Sequence, residues 1–154
     1  MQRYGMDRTD RAIIDILRSD GRISNVALAD RVGLTPGPCL RRVQRLEEDG
    51  VILGYRADID PAAVDEGFEV ILDVALHQFD LATVDHFEQT VERMHEVLEL
   101  FRLFGSPDYF LRVAVADLAA YEAFVRNEIM TIAGIQTVTS RFPMKVIKSL
   151  RRVP

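Results

Sequence analysis

The sequence predicts an α+β chain in two dissimilar parts: three short helices at the N-terminal side, then a unit whose elements run β-α-β-β-α-β. Three observations carry this. Residues 7–54 hold three apolar-faced helical segments, each opened by a capping residue and closed at or beside a glycine. Residues 55–67 lose that periodicity around Pro61 and Gly67 and read as a linker with one helical turn. From Phe68 onward the apolar period switches between two and the helical spacing, which marks alternating strands and helices. The boundaries are therefore drawn at 1–54, 55–67 and 68–154.

In the first part, Asp7 is placed to cap a helix carrying Ile13, Ile16 and Leu17, which Asp20-Gly21 stops. Ser24 caps a second helix, with Ile23 before it and Leu28 inside it spaced as a hydrophobic staple, and Val32-Gly33 ends it. Thr35 caps a third, whose first position is Pro36, where a missing N–H costs nothing; it runs to Asp49-Gly50. At 100° per residue, Cys39, Val43 and Leu46 share the buried face of this third helix, while Gly37, Arg41, Gln44 and Glu48 face outward. Pro38 and Arg45 flank the outward face. Arg42 lies at its edge, within reach of a phosphate or an acidic neighbour.

A guanidinium fork can bridge guanine O6 and N7 or clamp a phosphate, and a glutamine can pair with adenine, so the outward face carries the groups that major-groove readout needs. Arginines on a lone amphipathic helix are ordinarily just a solvated face. Here a short capped helix, a glycine turn and a second helix with a basic outer face form the combination expected of a helix-turn-helix, with Val51–Ala57 and Gly54 supplying a small wing.

The bulk numbers agree. The 154 residues are 48% hydrophobic, enough for one ordinary domain or two small ones with real cores. The net charge of -5 divides unevenly: residues 1–56 hold 10 basic and 8 acidic side chains, residues 57–154 hold 9 and 16. Polyanion contact is thus expected of the first part alone. A single cysteine, Cys39, excludes an intrachain disulfide and a thiolate cluster. The start of the chain lacks the apolar run of a signal peptide, charges interrupt every other apolar run, and a cytoplasmic protein with no membrane partner is the expectation.

In the second part, Phe68, Val70, Leu72, Val74 and Leu76 alternate as one face of a strand, and Val84, Phe87, Val91 and Met94 follow at helical spacing after Asp80. Val97–Phe104 and Tyr109–Ala116 form two strands joined by Gly105-Ser106-Pro107-Asp108. Asp117 caps a helix bearing Tyr121, Phe124, Val125 and Ile129, Gly134 ends it, and Ile135–Ile147 is the last strand. This order is ferredoxin-like, a four-stranded antiparallel sheet with both helices on one face. Apolar residues expected on the other face, Ile71, Ala75, Leu98, Leu100, Phe104 and Phe110, predict that two such sheets meet in a homodimer. Lys145, Lys148, Arg151 and Arg152 make a basic tail, read as an aid to solubility.

Two stretches resemble the Lrp/AsnC family of bacterial and archaeal regulators. The first is DGRISNVALA continuing through VGLTP and CLRRV to RLEEDGVI, residues 20–52; the second is Gly105-Ser106-Pro107-Asp108-Tyr109, similar to the family's Gly-x-x-Asp-Tyr signature. The resemblance implies a winged helix-turn-helix followed by a RAM-type domain that assembles the oligomer and binds an amino acid or similar small effector. It places Ser24, Asn25, Thr35, Pro36, Gly37, Pro38, Arg41, Arg42, Gln44 and Arg45 in the DNA-binding set. It places Gly105, Asp108 and Tyr109, with Thr139 and Arg141 on the last strand, in the effector set. A zwitterion needs a carboxylate for its ammonium and N–H donors for its carboxylate, which Asp108 and the Gly105 loop can supply. Asp108 reads equally well as a turn residue shaping the hairpin.

The expected partners are duplex DNA carrying a pseudo-palindromic operator, with recognition helices about 34 Å apart, an amino-acid effector, and further copies of the chain, from a dimer to a tetramer or octamer. No cofactor, metal or catalytic residue is expected. Two alternatives stand beside this reading: a DNA-binding regulator or architectural protein without an effector, and an enzyme resembling the tetrapyrrole decarboxylases that share the architecture. The second finds no support in His77, His86 or His95, which the pattern scatters over a strand and opposite sides of a helix.

Overall fold

In the computed structural model, residues 5–147 are described, and the chain divides into two compact units between Ala57 and Asp58. The first unit is α1 (Arg8–Ser19), α2 (Asn25–Val32) and α3 (Pro36–Glu48). Asp7 and Asp10 open α1 with a reciprocal capping box: the Asp10 N–H donates to Asp7 Oδ1 at 2.9 Å and the Asp7 N–H to Asp10 Oδ2 at 3.0 Å. Ser24 Oγ accepts from the Ala27 N–H, and Gly33 ends α2 at φ +69°, a left-handed position that glycine occupies without a Cβ clash. Thr35 stands at the cap of α3, but its side chain makes no capping bond, and Pro36 begins the helix. Ile13, Leu28, Ala29, Cys39 and Leu46 form the buried core, with Ile16, Leu17, Val32 and Val43 packed around it.

Val51–Ala57 does not form the expected hairpin. Among the described residues, no strand ladder includes this segment, and Leu53 is almost wholly exposed. Its hydrogen bonds run back to the end of α3 instead: the Val51 and Ile52 N–H groups both donate to the Leu46 carbonyl, and the Tyr55 hydroxyl donates to Glu47 at 2.8 Å.

The second unit opens with a 3-10 turn (Pro61–Val64) and continues as β1 (Phe68–Leu76), α4 (Leu81–Val91), β2 (Val97–Arg102), β3 (Tyr109–Val115), α5 (Leu118–Phe124) and β4 (Ile135–Arg141). A π-helical turn, Val125–Ile129, extends α5. The sheet is antiparallel throughout, in the order β2-β3-β1-β4, which is the ferredoxin-like arrangement. Val70, Leu72, Val74 and Leu76 bury one face of β1 against Val84, Phe87 and Val91 of α4 and Tyr121 and Phe124 of α5. The last strand ends at Arg141, short of the Ile147 expected. Lys148, Arg151 and Arg152 of the basic tail lie outside the described residues, and Lys145 is exposed.

One assignment of faces is corrected. The ladder of β2 shifts between Val97 and Glu99, so Leu100 lies opposite Leu111 and packs into the helix-side core, while Phe101 lies opposite Phe110 on the outer face. A bulge inserts one residue and inverts the alternation beyond it. Phe104 lies past the strand end, fully exposed. The outer face therefore carries Ile71, Ala75, Phe101 and Phe110, interleaved with ion pairs of Arg112 to Glu69 and Glu99 and of Arg141 to Asp73.

Candidate nucleic-acid interface and effector loop

The outward strip of α3 is built by what its opposite strip buries. Cys39 and Leu46 are fully buried, which turns Gly37, Arg41, Gln44 and Glu48 to solvent. Arg41 has no ion-pair partner among the described residues, and its Nη1 lies 3.7 Å from where a Cβ on Gly37 would stand. The guanidinium thus lies along the first turn of its helix. A Cβ at position 37 would stand in ordinary van der Waals contact with it.

Arg42 and Arg45 stand differently from the expectation. Arg42 Nη1 donates to Asp7 Oδ2 at 2.7 Å and to Asp10 Oδ1 at 2.8 Å, and Arg45 Nη2 donates to Asp10 Oδ2 at 2.6 Å. Asp10 is 0% exposed, so this carboxylate is held in the helix interface by two guanidinium groups and the Asp7 N–H. The hydrogen bond from the Asp10 N–H, then the Arg42 guanidinium, hold the Asp7 carboxyl below its usual range. Arg42 had been placed at an edge open to a phosphate or an acidic neighbour; the acidic neighbour takes it. Arg45, expected beside the outward face, is turned to the same carboxylate. The positive charge left unpaired on the outward strip is that of Arg41.

Asn25 is turned inward as well. Its Nδ2 donates to the Pro36 carbonyl at 2.8 Å, and its Oδ1 is buried without a partner among the described residues. It ties the start of α2 to the start of α3. Ser24, Thr35 and Pro36 are exposed and Pro38 is half-buried.

In the second unit, Gly105 opens the β2–β3 connection at φ +136°, where an L side chain is strained. Asp108 acts on the backbone at both of its ends. Its Oδ2 accepts from the Leu76 N–H at 2.8 Å, and its carbonyl accepts from the Leu103 N–H at 2.7 Å, which stitches the loop to the end of β1 and closes the hairpin. Of the two roles the sequence left open for Asp108, the structure displays the shaping one. Tyr109 is 0% exposed, its ring 4.6 Å from that of Phe87, and its hydroxyl donates to Glu88 Oε1 at 2.8 Å. Arg102 donates to the same oxygen from Nε, at 2.6 Å. Burial, then the Glu88 carboxylate, push the Tyr109 phenol up to about 12. Tyr109 is a core residue of this unit.

Thr139 and Arg141 stand on the outer sheet face, Thr139 opposite Asp73 and Arg141 ion-paired with it. Because Phe110 is also opposite Asp73, Thr139 lies two strand spacings, about 10 Å, from the residue after Tyr109. A cleft of about 600 Å³ lies beside β2, lined by Glu88, Val91, Glu92, Val97, Leu98, Glu99, Leu100 and Arg102. None of the five expected effector residues lines it. No group of three or more histidine, cysteine or acidic side chains able to hold a metal occurs among the described residues.

Residues 6–52 match the winged helix-turn-helix DNA-binding family, and residues 69–153 match the Lrp/AsnC ligand binding domain. The chain belongs to the Lrp/AsnC family. It is 35% identical to the Leucine-responsive regulatory protein of Escherichia coli strain K12 over 148 residues, 96% of this chain and 90% of that protein. A transcriptional regulator of Neisseria meningitidis solved as an L-Met complex superposes with a TM-score of 0.90 at 34% identity, covering 97% of this chain and 96% of that one. An AsnC family transcriptional regulator from Agrobacterium tumefaciens gives 0.89 at 40% identity, covering 97% of each.

As an Lrp/AsnC protein, the chain is a DNA-binding transcriptional regulator with a helix-turn-helix and a ligand-binding domain. Sequence reading missed the partners that decide the state of its arginines and of Tyr109. Asp7 was legible as a helix cap, but the guanidinium that joins it to Asp10 lies more than thirty residues away. Glu88 carried no signal beyond its place on α4.

Proposed function

We propose that this chain regulates transcription as a homodimer, reading an operator with Arg41 and Gln44 of α3 and responding to an amino acid bound at the Gly105–Asp108 loop. The observation that carries the reading is the outward strip of α3, where Arg41 is unpaired and Gln44 exposed beside Gly37 at the helix start. A fork donor and an amide three residues apart reach adjacent base edges in a major groove. In this reading Ser24, Thr35, Pro36 and Pro38 lie along the backbone-contacting margin. The amino acid is suggested by the L-Met bound to the Neisseria relative. The effector site is completed by a second copy beside the Gly105 loop, which does not line the cleft along β2, with tetramers or octamers as higher assemblies. No helix is long and apolar enough to cross a membrane among the described residues, and the cytoplasm, where operators are, is the proposed location. The protein acts by binding, not by catalysis.

The test is a salt-matched titration of a duplex selected on the wild-type chain from a random-sequence pool. Arg41→Ala is expected to weaken binding by about 1–3 kcal/mol, the worth of a bidentate base contact. Unchanged affinity removes Arg41 from the reading set. A thermal-shift series with the twenty amino acids tests the effector: a ligand at 100 times its Kd adds about 2.7 kcal/mol. A flat series favours regulation without an effector, a reading that the commitment of Asp108 to the Leu76 N–H and of Arg141 to Asp73 also supports.

A further inference from the structure

The three arginines of α3 and Gln44 form two parallel pairs, Arg41 with Gln44 and Arg42 with Arg45, each three residues apart and offset from the other by one residue, or about 100° of helix rotation. A roll of α3 by that angle would exchange the pair that faces outward. Burial of Cys39 and Leu46 opposes that roll, and so does Asp10. Its carboxylate is 0% exposed, takes Arg42 on Oδ1 and Arg45 on Oδ2, and is anchored in turn by the Asp7 N–H on Oδ2. Two pins nearly one turn apart on the same strip of a helix fix its rotation in a way a single contact does not. Asn25, holding the Pro36 carbonyl at 2.8 Å, fixes the start of the helix independently.

We propose that Asp10 is a specificity-determining positioning residue: it withdraws Arg42 and Arg45 from the nucleic acid and thereby reserves readout for Arg41 and Gln44. The inference rests on the DNA-binding reading above. Its physical content is a trade. Two guanidinium groups released toward a duplex would pair with phosphates anywhere, raising sequence-independent affinity without adding information about the bases. A buried carboxylate that holds them back lowers the background against which the operator is recognised.

The experiment compares wild type, Asp10→Asn and Asp10→Glu on the selected duplex and on a scrambled duplex of equal length, across a salt series. With Asp10→Asn, affinity for the scrambled duplex is expected to rise about tenfold and the slope of log K against log salt to steepen by about 0.9 for each new phosphate contact, so that the ratio of selected to scrambled binding falls. Asp10→Glu, which keeps the charge, restores the wild-type slope. Parallel loss on both duplexes with no steepening would mean that Asp10 is only a fold-stabilising group, and the proposal falls. Should Asp10→Asn fail to fold, Arg45→Gln decides: the proposal requires a retained salt slope and an unchanged affinity for the scrambled duplex, whereas a slope shallower by about 0.9 identifies Arg45 as a phosphate contact and overturns it. A wild-type chain that binds no duplex removes the underlying reading, an outcome distinct from all of these.

Discussion

Tyr109 places an ionisable hydroxyl in the core of the second unit, its ring tilted against Phe87 and its hydroxyl donating to Glu88. The buried phenol stays protonated up to about 12, whereas an unfolded tyrosine releases its proton near 10. The folded state therefore holds more protons across the interval, and stability must fall as pH rises from about 10 to about 12 while remaining constant in this respect below it. Tyr55, half exposed, is also held above its ordinary value, by partial burial and then by Glu47, but with weaker leverage on stability. We predict that Tyr109→Phe flattens the alkaline decline of the denaturant midpoint for the unit that contains it. Tyrosinate absorbance followed in parallel checks the cause. A decline over that interval that is identical in wild type and variant would assign it to other groups.

At the scale of elements, the β2–β3 hairpin depends on Gly105 at φ +136° and on Asp108 receiving the Leu76 N–H. Gly105→Ala meets no steric neighbour within 4 Å, so its cost is backbone strain alone, about 1–3 kcal/mol by chemical denaturation. A neutral substitution would show that the loop relaxes to another conformation. The order of elements was legible because caps and apolar periods are local, as at Asp7, Asp80 and Asp117. Face assignment failed where geometry is not local: the bulge before Glu99 inverted the parity that had put Leu100 outside, and nothing in the residues 51–57 tells a hairpin from an extended segment bonded back to Leu46. The outward strip of α3 followed from its buried strip. The states of Arg42 and Arg45 did not, because a 100° pattern locates a side chain on a helix but not the carboxylate that another helix brings to it.

At the scale of the whole molecule, a DNA-reading unit with a basic surplus of only two needs more than its own charge to reach a specific site. Among the described residues α3 keeps one arginine without an ion-pair partner, Arg41, and the second unit is acidic overall. Linking two reading heads makes the second binding event intramolecular and raises affinity by about 10²–10⁴ without a new contact, provided both heads reach their half-sites. The outer sheet face is the surface proposed to make that link. Phe101 and Phe110 meet there as tilted rings 5.9 Å apart, Phe101 half exposed, while the charged groups of that face are paired within the chain as Arg112–Glu69, Arg112–Glu99 and Arg141–Asp73. A face of that kind can be covered by its own copy without leaving a charged group unpartnered. Phe101→Glu sets two carboxylates against each other across a two-fold axis without disturbing the helix-side core. Sedimentation should then show a monomer with the secondary structure of the wild type, and operator affinity should drop by the avidity factor while the affinity of each head for a half-site is kept. A Phe101→Glu chain that still sediments as a dimer would place the interface on another surface.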